Sequence, residues 1–142
     1  MNQVHRFSLT VEFGDCDPAQ IVWFPNFFRW FDAGSRRYFI ACGVPTWQET
    51  EASLGIIGTP LVDTKARFVK PASYGDEIAV ESTVSEWRGK SFVMSHRIFN
   101  AAGELLCECE EVRVFAERVA GDRHRIRAVP APESIKALCA QR

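Results

Sequence analysis

Apolar and polar residues alternate along the first segment of the chain, over residues 7–13. A period of two residues predicts a half-buried β-strand, because successive side chains of a strand point to opposite faces. The turn-forming residues of the segment GDCDPAQ then end the alternation. The apolar residues that we expect on one face of this strand are Phe7, Leu9, Val11 and Phe13.

The period changes to that of an α-helix from about Phe24 to Cys42. Pro25 suits the first turn of this helix, and Gly43 suits the position just past its end. Trp30 and Ile40 lie off the main apolar stripe, so we expect the helix to be covered on more than one side. The predicted apolar face comprises Phe24, Phe27, Phe28, Phe31, Tyr38, Phe39 and Cys42, with Asn26, Arg29, Arg36 and Arg37 opposite.

A short second helix is predicted after Thr46, which can cap it while Glu49 reaches back, and Gly55 ends it. Four strands are then predicted, roughly over Gly58–Val69, Asp76–Trp87, Lys90–Asn100 and Glu104–Glu117. A short further strand over Arg125–Val129 and a last helix over Glu133–Ala140 follow. This order predicts an α+β fold, a single antiparallel sheet wrapped around one long helix. Such a sheet leaves an edge and a face to be covered, so we expect a homo-oligomer.

Composition limits the class of protein. A chain of 142 residues with 46% hydrophobic residues predicts one domain over residues 1–142. A net charge of -1 argues against a nucleic-acid-binding chain, and the longest apolar run, Tyr38–Cys42, is far short of the ~20 residues of a membrane span. The first residues lack a basic-then-apolar signal pattern, so we do not expect the protein to be secreted. Five cysteines without framework spacing and three scattered histidines predict free thiols in the cytoplasm, with no metal site and no cofactor.

The most informative local feature is the acidic loop directly before the long helix, over residues 14–24. The first turn of a helix has N–H groups without intrahelical partners and a partial positive charge. Pro25 has no N–H, so we expect the amide of Phe24 and its neighbours to be free donors. A carbonyl oxygen bound there would be polarised during acyl transfer. Asp17 is then a candidate nucleophile or general base.

A lone carboxylate without a catalytic triad can catalyse acyl transfer only when the leaving group departs easily. Thiolates leave with little protonation, since thiol pKa values lie near ~8.5, whereas an amine would also need a general acid. The loop therefore favours a thioester over an amide as the substrate. The competing interpretation is ordinary turn chemistry, in which Asp15 and Asp17 flank the turn before Pro18 and Asp17 caps the helix.

Other polar residues have simple structural interpretations. Asp32 is three and four residues from Arg29 and Arg36, which predicts an exposed ion pair. We interpret His96 as a packed or surface strand residue and Trp47 as a packing anchor.

Basic residues concentrate in two places. One group surrounds the turn between Trp87 and Phe92, and Arg123, Arg125 and Arg127 alternate near the C-terminus. Such clusters on a nearly neutral chain suit a phosphorylated small ligand. The alternative is a solvated charged surface.

Three segments, EFGDCDPAQIVWFPNFFRWFDAGSRRYF, GTPLV and EWRGKSFV, resemble the 4-hydroxybenzoyl-CoA thioesterase family. The resemblance continues through EVRVF and IRAVPAP and covers nearly the whole chain. It implies an acyl-CoA hydrolase with the hotdog fold. It also implies a tetramer built from two dimers with shared sites, although the sequence by itself supports only that the protein is not a monomer.

The resemblance implies roles for particular residues. Asp17 matches the family's catalytic carboxylate, which attacks the thioester carbonyl or activates water. The backbone N–H of Phe24 matches the donor that polarises this carbonyl; a Tyr is common here, but the contact is made by the main chain. Asp32 and Trp47 match positions at the ring-hydroxyl end of an aromatic acyl group, and Thr59 matches a residue of the acyl pocket.

Coenzyme A binding and one departure from the family pattern follow from the same comparison. Arg88, Lys90 and Ser91 match residues along the nucleotide and phosphates of coenzyme A, and Arg127 resembles a further phosphate contact. Where the family usually has Gly three residues after the catalytic Asp, this chain has Gln20. Because Gly permits positive φ and close approach of substrate, this departure affects the choice of acyl group more than the reaction.

The leading functional hypothesis is hydrolysis of an aromatic acyl-CoA such as 4-hydroxybenzoyl-CoA. An acidic residue at the end of the pocket, Asp32, favours a substrate with a hydroxyl or amino group, because an unpaired buried carboxylate is unfavourable. The alternatives are a short- or medium-chain aliphatic acyl-CoA thioesterase, which Gln20 keeps open, and a noncatalytic acyl-CoA-binding protein. A hydratase is disfavoured because the loop before the helix contains no histidine.

Overall fold

A five-stranded antiparallel sheet in the order β1-β3-β4-β5-β2 packs against one long helix, α1. A separate hairpin of two strands, β6 and β7, follows it. The computed structural model describes residues 1–141. The elements are β1 (Val4–Thr10), α1 (Pro25–Ala41), α2 (Trp47–Leu54), β2 (Leu61–Phe68), β3 (Glu77–Trp87), β4 (Phe92–Asn100), β5 (Leu105–Arg113), β6 (Phe115–Val119), β7 (Asp122–Val129) and α3 (Glu133–Cys139).

Helix α1 lies where the sequence predicts it, and Gly43 adopts a φ of 92° just past its end. Trp30 is buried, so the helix is covered beyond its main stripe, although Ile40 stays exposed. The prediction that Phe24 lies on the buried face is wrong. Phe24 precedes the helix and its ring, 59% exposed, packs edge-on against the ring of Phe68.

The core divides into two apolar clusters along α1. Phe27 and Phe31 belong to the first cluster, with side chains of β3, β4 and β5, and Tyr38 and Phe39 belong to the second, which extends to α3. Gly34 lies between them, at a close approach to the sheet, since a Cβ atom on it would be 2.6 Å from the Ser82 Oγ. The helix therefore has little freedom to shift along the sheet.

Three local predictions need correction. The predicted strand over residues 104–117 is broken at Val114, and its second part forms the β6–β7 hairpin instead of joining a single sheet. Its backbone pairs with the segment before β2, since the Ala116 N–H donates to the Gly58 carbonyl. Phe13 lies in a 3₁₀ turn after β1 and is exposed, because the Asp15 carboxylate accepts the Glu12 N–H and tightens that turn.

The short helix α2 largely follows the sequence prediction. The Thr46 Oγ1 accepts the Glu49 N–H at 3.3 Å, and Gly55 ends the helix with a φ of 76°. The reciprocal contact expected from the Glu49 side chain is absent from residues 1–141. No helix in this range is long and apolar enough to cross a membrane.

Strand β2 forms one edge of the sheet and is exposed on both faces. It pairs only with β5 among the described strands, with Leu61 opposite Arg113 and Phe68 opposite Cys107. Its backbone therefore presents hydrogen-bonding groups with no strand beside them. The large apolar side chains exposed on and next to this strand are Leu61, Val62, Phe68 and Val69.

Candidate active site

The acidic loop folds back on itself before α1 begins. Cys16 and Val22 form an antiparallel bridge, the Asp17 N–H donates to the Ile21 carbonyl at 2.9 Å, and the Gln20 N–H donates to the Asp17 carbonyl at 2.8 Å. Gln20 closes this turn with a φ of 69° and is the one non-glycine residue with positive φ among residues 1–141. The residue that departs from the family pattern thus occupies a left-handed conformation that suits glycine.

Asp15 anchors the loop to the helix. Its carboxylate accepts from Arg29 at 2.9 Å, and its backbone carbonyl accepts from the Asn26 side chain at 2.8 Å and from the Trp23 N–H at 2.9 Å. The predicted ion pair between Arg29 and Asp32 is therefore wrong, because Arg29 is engaged by the loop. The sequence predicts only a turn role for Asp15, because these three partners lie eight to fourteen residues away.

Asp17 makes a local turn and leaves part of its carboxylate free. The Asp17 Oδ1 accepts the Ala19 N–H at 2.8 Å, whereas its Oδ2 has no hydrogen-bond partner within residues 1–141. The turn interpretation of Asp17 is thus correct in part. Its extension, that Asp17 caps α1, is wrong, because Phe24 is the N-cap residue and no side chain caps this helix.

The start of α1 offers a free backbone donor. The N–H groups of Trp23, Asn26 and Phe27 donate to the carbonyls of Asp15, Trp23 and Phe24, respectively. Pro25 has no N–H. In the described part of the chain the Phe24 N–H has no acceptor, and it lies at the positive end of the helix dipole.

A cavity of about 310 Å³ lies beside the middle of α1. It brings together Asp32, Trp47 and Thr59, the three residues that the resemblance assigns to the acyl group. Trp47 also packs edge-on against Phe39 at 5.7 Å, as its predicted packing role requires. The cavity is lined by Asp32, Arg36, Trp47, Ile57, Gly58, Thr59, Pro60 and Arg113.

Asp17 and Phe24 do not line this cavity. Eight residues of helix separate Phe24 from Asp32, which is about 12 Å along the helix axis at 1.5 Å per residue. Within one copy of the chain, the free amide and Asp32 are therefore farther apart than a benzoyl group extends.

A buried charged pair on β5 was missed from the sequence. Arg113 donates to both oxygens of Glu111 at 2.9 Å, to the Asp32 Oδ1 at 2.9 Å and to the Thr59 carbonyl at 2.8 Å. Glu111 also accepts from Ser35 at 2.6 Å and from His96 at 2.7 Å. The expectation that Asp32 pairs with a residue of its own helix is thus replaced by a partner on the sheet.

The charge state of Glu111 follows from these contacts. Burial raises its pKa, but hydrogen bonds and charges from His96 and Arg113 outweigh that effect and lower the pKa to about 2. The signal for this pair was present in the sequence. Cys107, Cys109, Glu111 and Arg113 recur at every second position of one strand, so the inward face of β5 changes from apolar to charged.

The predicted coenzyme A residues lie on two hairpins. Arg88 is next to Glu86 at 3.1 Å, and its N–H donates to the Ser91 carbonyl at 2.8 Å, which closes the β3–β4 turn around the exposed Lys90. Arg127 on β7 pairs with Glu117 at 2.6 Å. Because these arginines are exposed, phosphates can compete for them. The four residues lie outside the lining of the cavity.

Comparison with known proteins identifies the family. The model of the thioesterase-like superfamily matches residues 11–138, and the chain belongs to this superfamily. The predicted fold, family and enzyme class, a thioesterase, are thereby confirmed. The chain is 47% identical over 133 residues to a 4-hydroxybenzoyl-CoA thioesterase of Pseudomonas sp. (strain CBS-3), covering 91% of this chain and 92% of that protein.

A second relative and a solved structure are also similar to this chain over most of its length. A 1,4-dihydroxy-2-naphthoyl-CoA hydrolase of Thermosynechococcus vestitus is 26% identical, over 92% of this chain and 85% of that protein. The crystal structure of the D17N mutant of a 4-hydroxybenzoyl-CoA thioesterase, complexed with 4-hydroxybenzoyl-CoA, superposes with a TM-score of 0.90. It is 44% identical and covers 96% of this chain and 99% of that one.

The left-handed turn at Gln20 yields a stability prediction. Gln20→Gly should raise the free energy of unfolding by about 0.5 to 1 kcal/mol, because relief of a left-handed Cβ clash exceeds the entropic cost of glycine. Urea unfolding measures the change. The control is Gln48→Gly in the exposed part of α2, which should lower stability by about 1 kcal/mol. A loss of stability in both variants would contradict the interpretation of the turn.

Proposed function

We propose that this protein hydrolyses aromatic acyl-CoA thioesters, with 4-hydroxybenzoyl-CoA or a close relative as substrate, to the free acid and coenzyme A. The observation that carries the proposal is the unoccupied Phe24 N–H at the start of α1, next to a loop whose Asp17 keeps one carboxylate oxygen free within residues 1–141. The 4-hydroxybenzoyl-CoA thioesterase to which the chain is 47% identical supports the choice of acyl group.

The reaction then follows from these two groups. The thioester carbonyl oxygen accepts the Phe24 N–H, and the helix dipole stabilises the negative charge that develops on this oxygen. Asp17 either attacks the carbonyl carbon, to give an anhydride that water hydrolyses, or removes a proton from the attacking water. In both routes the C–S bond breaks, the sulfur leaves as a thiolate, and one water molecule is consumed to give the free acid and to restore Asp17.

The acyl end of the substrate is assigned to the cavity beside the middle of α1. Its Asp32 carboxylate accepts a hydrogen bond from a ring hydroxyl, and Trp47 and Thr59 line the space around the ring. A ring without a hydroxyl would desolvate the Asp32 Oδ2 without giving it a hydrogen-bond donor, which favours hydroxylated acyl groups.

A homodimer formed through β2 joins the two halves of this site. Two copies of an exposed edge strand pair antiparallel around a two-fold axis. This pairing places the Leu61 end of one β2 beside the Phe68 end of the other. Thr59 precedes Leu61 by two residues, and the Phe68 ring contacts the Phe24 ring at 6.3 Å. The acyl cavity of one copy thus meets the helix start of its partner, in a dimer or a dimer of dimers.

Coenzyme A extends from this junction to the basic hairpins. Arg88, Lys90 and Ser91 at the β3–β4 turn and Arg127 on β7 bind its phosphates and nucleotide. Arg88, Lys90 and Arg127 are exposed, and the guanidinium groups of the two arginines match the geometry of phosphate oxygens. No disulfide joins the five cysteines, all of which lie within the described residues, and this supports the cytoplasm, a reducing compartment, as the location.

The catalytic role of Asp17 is tested by substitution. Asp17→Asn should lower kcat for 4-hydroxybenzoyl-CoA about 10³-fold, because the amide is neither a nucleophile nor a base. Binding of the substrate and thermal stability should remain close to wild type. Steady-state kinetics, calorimetric titration and thermal unfolding measure the three quantities.

The matched control is Asp122→Asn, since Asp122 makes the same kind of turn by accepting the His124 N–H at 2.9 Å. It should retain wild-type kcat. Undiminished hydrolysis by Asp17→Asn would overturn the mechanism. A panel of benzoyl, hydroxybenzoyl and short aliphatic CoA esters tests the acyl group, and preference of the wild type for aliphatic esters would replace the aromatic assignment.

The assignment of the basic turn predicts a change in KM alone. Arg88→Gln or Lys90→Gln should raise KM for the CoA ester roughly tenfold and leave kcat within about twofold, because the phosphates are remote from the reacting carbon. The corresponding pantetheine thioester, which lacks the nucleotide, should show no change. Arg97→Gln, which removes an arginine paired with Glu81 on another part of the sheet, is the control. Equal wild-type activity on the two esters would contradict the assignment.

The dimer predicts that β2 is required for activity. Val62→Lys should convert the wild-type oligomer to monomers in analytical ultracentrifugation and abolish hydrolysis, because a lysine opposes strand pairing at an edge. Val4→Lys, on the opposite edge strand β1, should keep both the oligomer and the activity. A monomeric Val62→Lys variant with full activity would show that one copy contains a complete site.

A further inference from the structure

A continuous set of buried hydrogen bonds runs from the centre of the sheet to the wall of the acyl cavity. Ser82 Oγ and His96 Nδ1 are 2.7 Å apart, and His96 Nε2 and Glu111 Oε1 are also 2.7 Å apart. Arg113 then binds Glu111 through two nitrogens at 2.9 Å. All four residues are at least 95% buried. Arg113 is the member that reaches the cavity.

Two separate elements of the cavity wall are held by the Arg113 guanidinium. Its Nη2 donates to the Asp32 Oδ1 on α1, and its Nη1 donates to the Thr59 carbonyl before β2. The guanidinium is planar and its donors have a fixed geometry. It therefore sets both the orientation of the carboxylate and its position relative to the Thr59 backbone.

The exposure of Asp32 makes this contact important. The Asp32 side chain is 65% exposed, whereas that of Arg113 is 6% exposed. A surface carboxylate without a rigid partner samples several rotamers, and fixing it on substrate binding lowers affinity. Arg36 also lines the cavity, but it makes no hydrogen bond to Asp32 within the described residues.

Glu111 keeps Arg113 from neutralising Asp32. Glu111 is negatively charged, with its pKa lowered to about 2 despite its burial, because His96 and Arg113 bind it. One guanidinium is thus shared between two carboxylates, and Asp32 retains acceptor strength. The Asp32 Oδ2 has no hydrogen-bond partner among residues 1–141.

We propose that Arg113 is a positioning residue for substrate specificity: it holds Asp32 by one oxygen so that the other accepts a hydrogen bond from a donor at the far end of the acyl group. The ligand class is an acyl thioester with a hydroxyl or amino donor on its ring. This role rests on the proposed thioesterase function and acts through Asp32, not on the reacting carbonyl.

The test is the ratio of kcat/KM for 4-hydroxybenzoyl-CoA to that for benzoyl-CoA, measured on the same enzyme preparation. This ratio does not depend on the fraction of enzyme that is folded, so a purely structural role would leave it unchanged. Arg113→Lys should lower the ratio about tenfold, through a higher KM for the hydroxylated ester, and change kcat/KM for benzoyl-CoA less than about twofold. Arg118→Lys, a surface arginine paired with Glu51, is the matched control and should keep the ratio.

Two further variants guard against misfolding of Arg113→Lys. The double variant Glu111→Gln, Arg113→Gln replaces the buried ion pair with two amides and should lower the ratio similarly. Asp32→Ala alters an exposed side chain, so it leaves the core intact and should reproduce the loss. In the Asp32→Ala background, Arg113→Lys should have no further effect on the ratio.

The outcomes separate this role from the activity itself. A wild type that hydrolyses neither aromatic ester removes the proposed function and this inference with it. A wild type that prefers the hydroxylated ester, with the preference kept in Arg113→Lys or in Asp32→Ala, overturns the role of Arg113 and leaves the thioesterase function intact.

Discussion

The close contact between α1 and the sheet at Gly34 determines where each functional group lies. Only a hydrogen atom fits at this position, because a Cβ would be 2.6 Å from the Ser82 Oγ. The register of the helix on the sheet is thereby fixed. Phe24 lies ten residues before the contact, about 15 Å along the axis, near the end of β2, whereas Asp32 lies within a turn of it, at the cavity. Helix length and one small residue thus set the separation of the two functional ends.

The same contact accommodates charge inside the core. His96, Glu111 and Arg113 lie between the two apolar clusters, next to Gly34 and Ser35, where the helix offers no large side chain. Buried charges are unfavourable unless each has partners in good geometry. Here Glu111 accepts from Arg113, His96 and Ser35, so its desolvation is offset. The arrangement tolerates few alternatives, because loss of Arg113 removes the ion-pair partner of a buried carboxylate.

Much of the fold was predictable because its signals are local. The period of α1, the cap at Thr46 and the glycines after both helices are read within a few residues. The break of the long strand at Val114 was not predictable, since it depends on pairing with the segment before β2. The exposure of Phe24 was also missed, because helical periodicity does not tell where the sheet beneath the helix ends.

The site divides in the same way. The acidic loop and the free amide at Phe24 follow from chain order and from proline chemistry. The assignment of Asp32, Trp47 and Thr59 to an acyl pocket came from the family resemblance. The partner of Asp32 could not be derived, because Arg113 lies 81 residues away in sequence. Helical spacing predicted Arg29 as the ion-pair partner of Asp32. In the structure Arg29 pairs with Asp15 instead, because the folded loop brings Asp15 next to it.

The cysteines have a consequence for a protein that handles activated acyl groups. A thioester can transfer its acyl group to any accessible thiolate, and the thiolate is the reactive form. Burial raises the pKa of Cys107 to about 12, of Cys109 to about 11 and of Cys139 to about 12, so these thiols stay protonated at neutral pH. Cys42 is also buried, and the Cys16 thiol donates to the Glu12 carbonyl. Burial therefore protects Cys42, Cys107, Cys109 and Cys139 from acylation by an acyl-CoA.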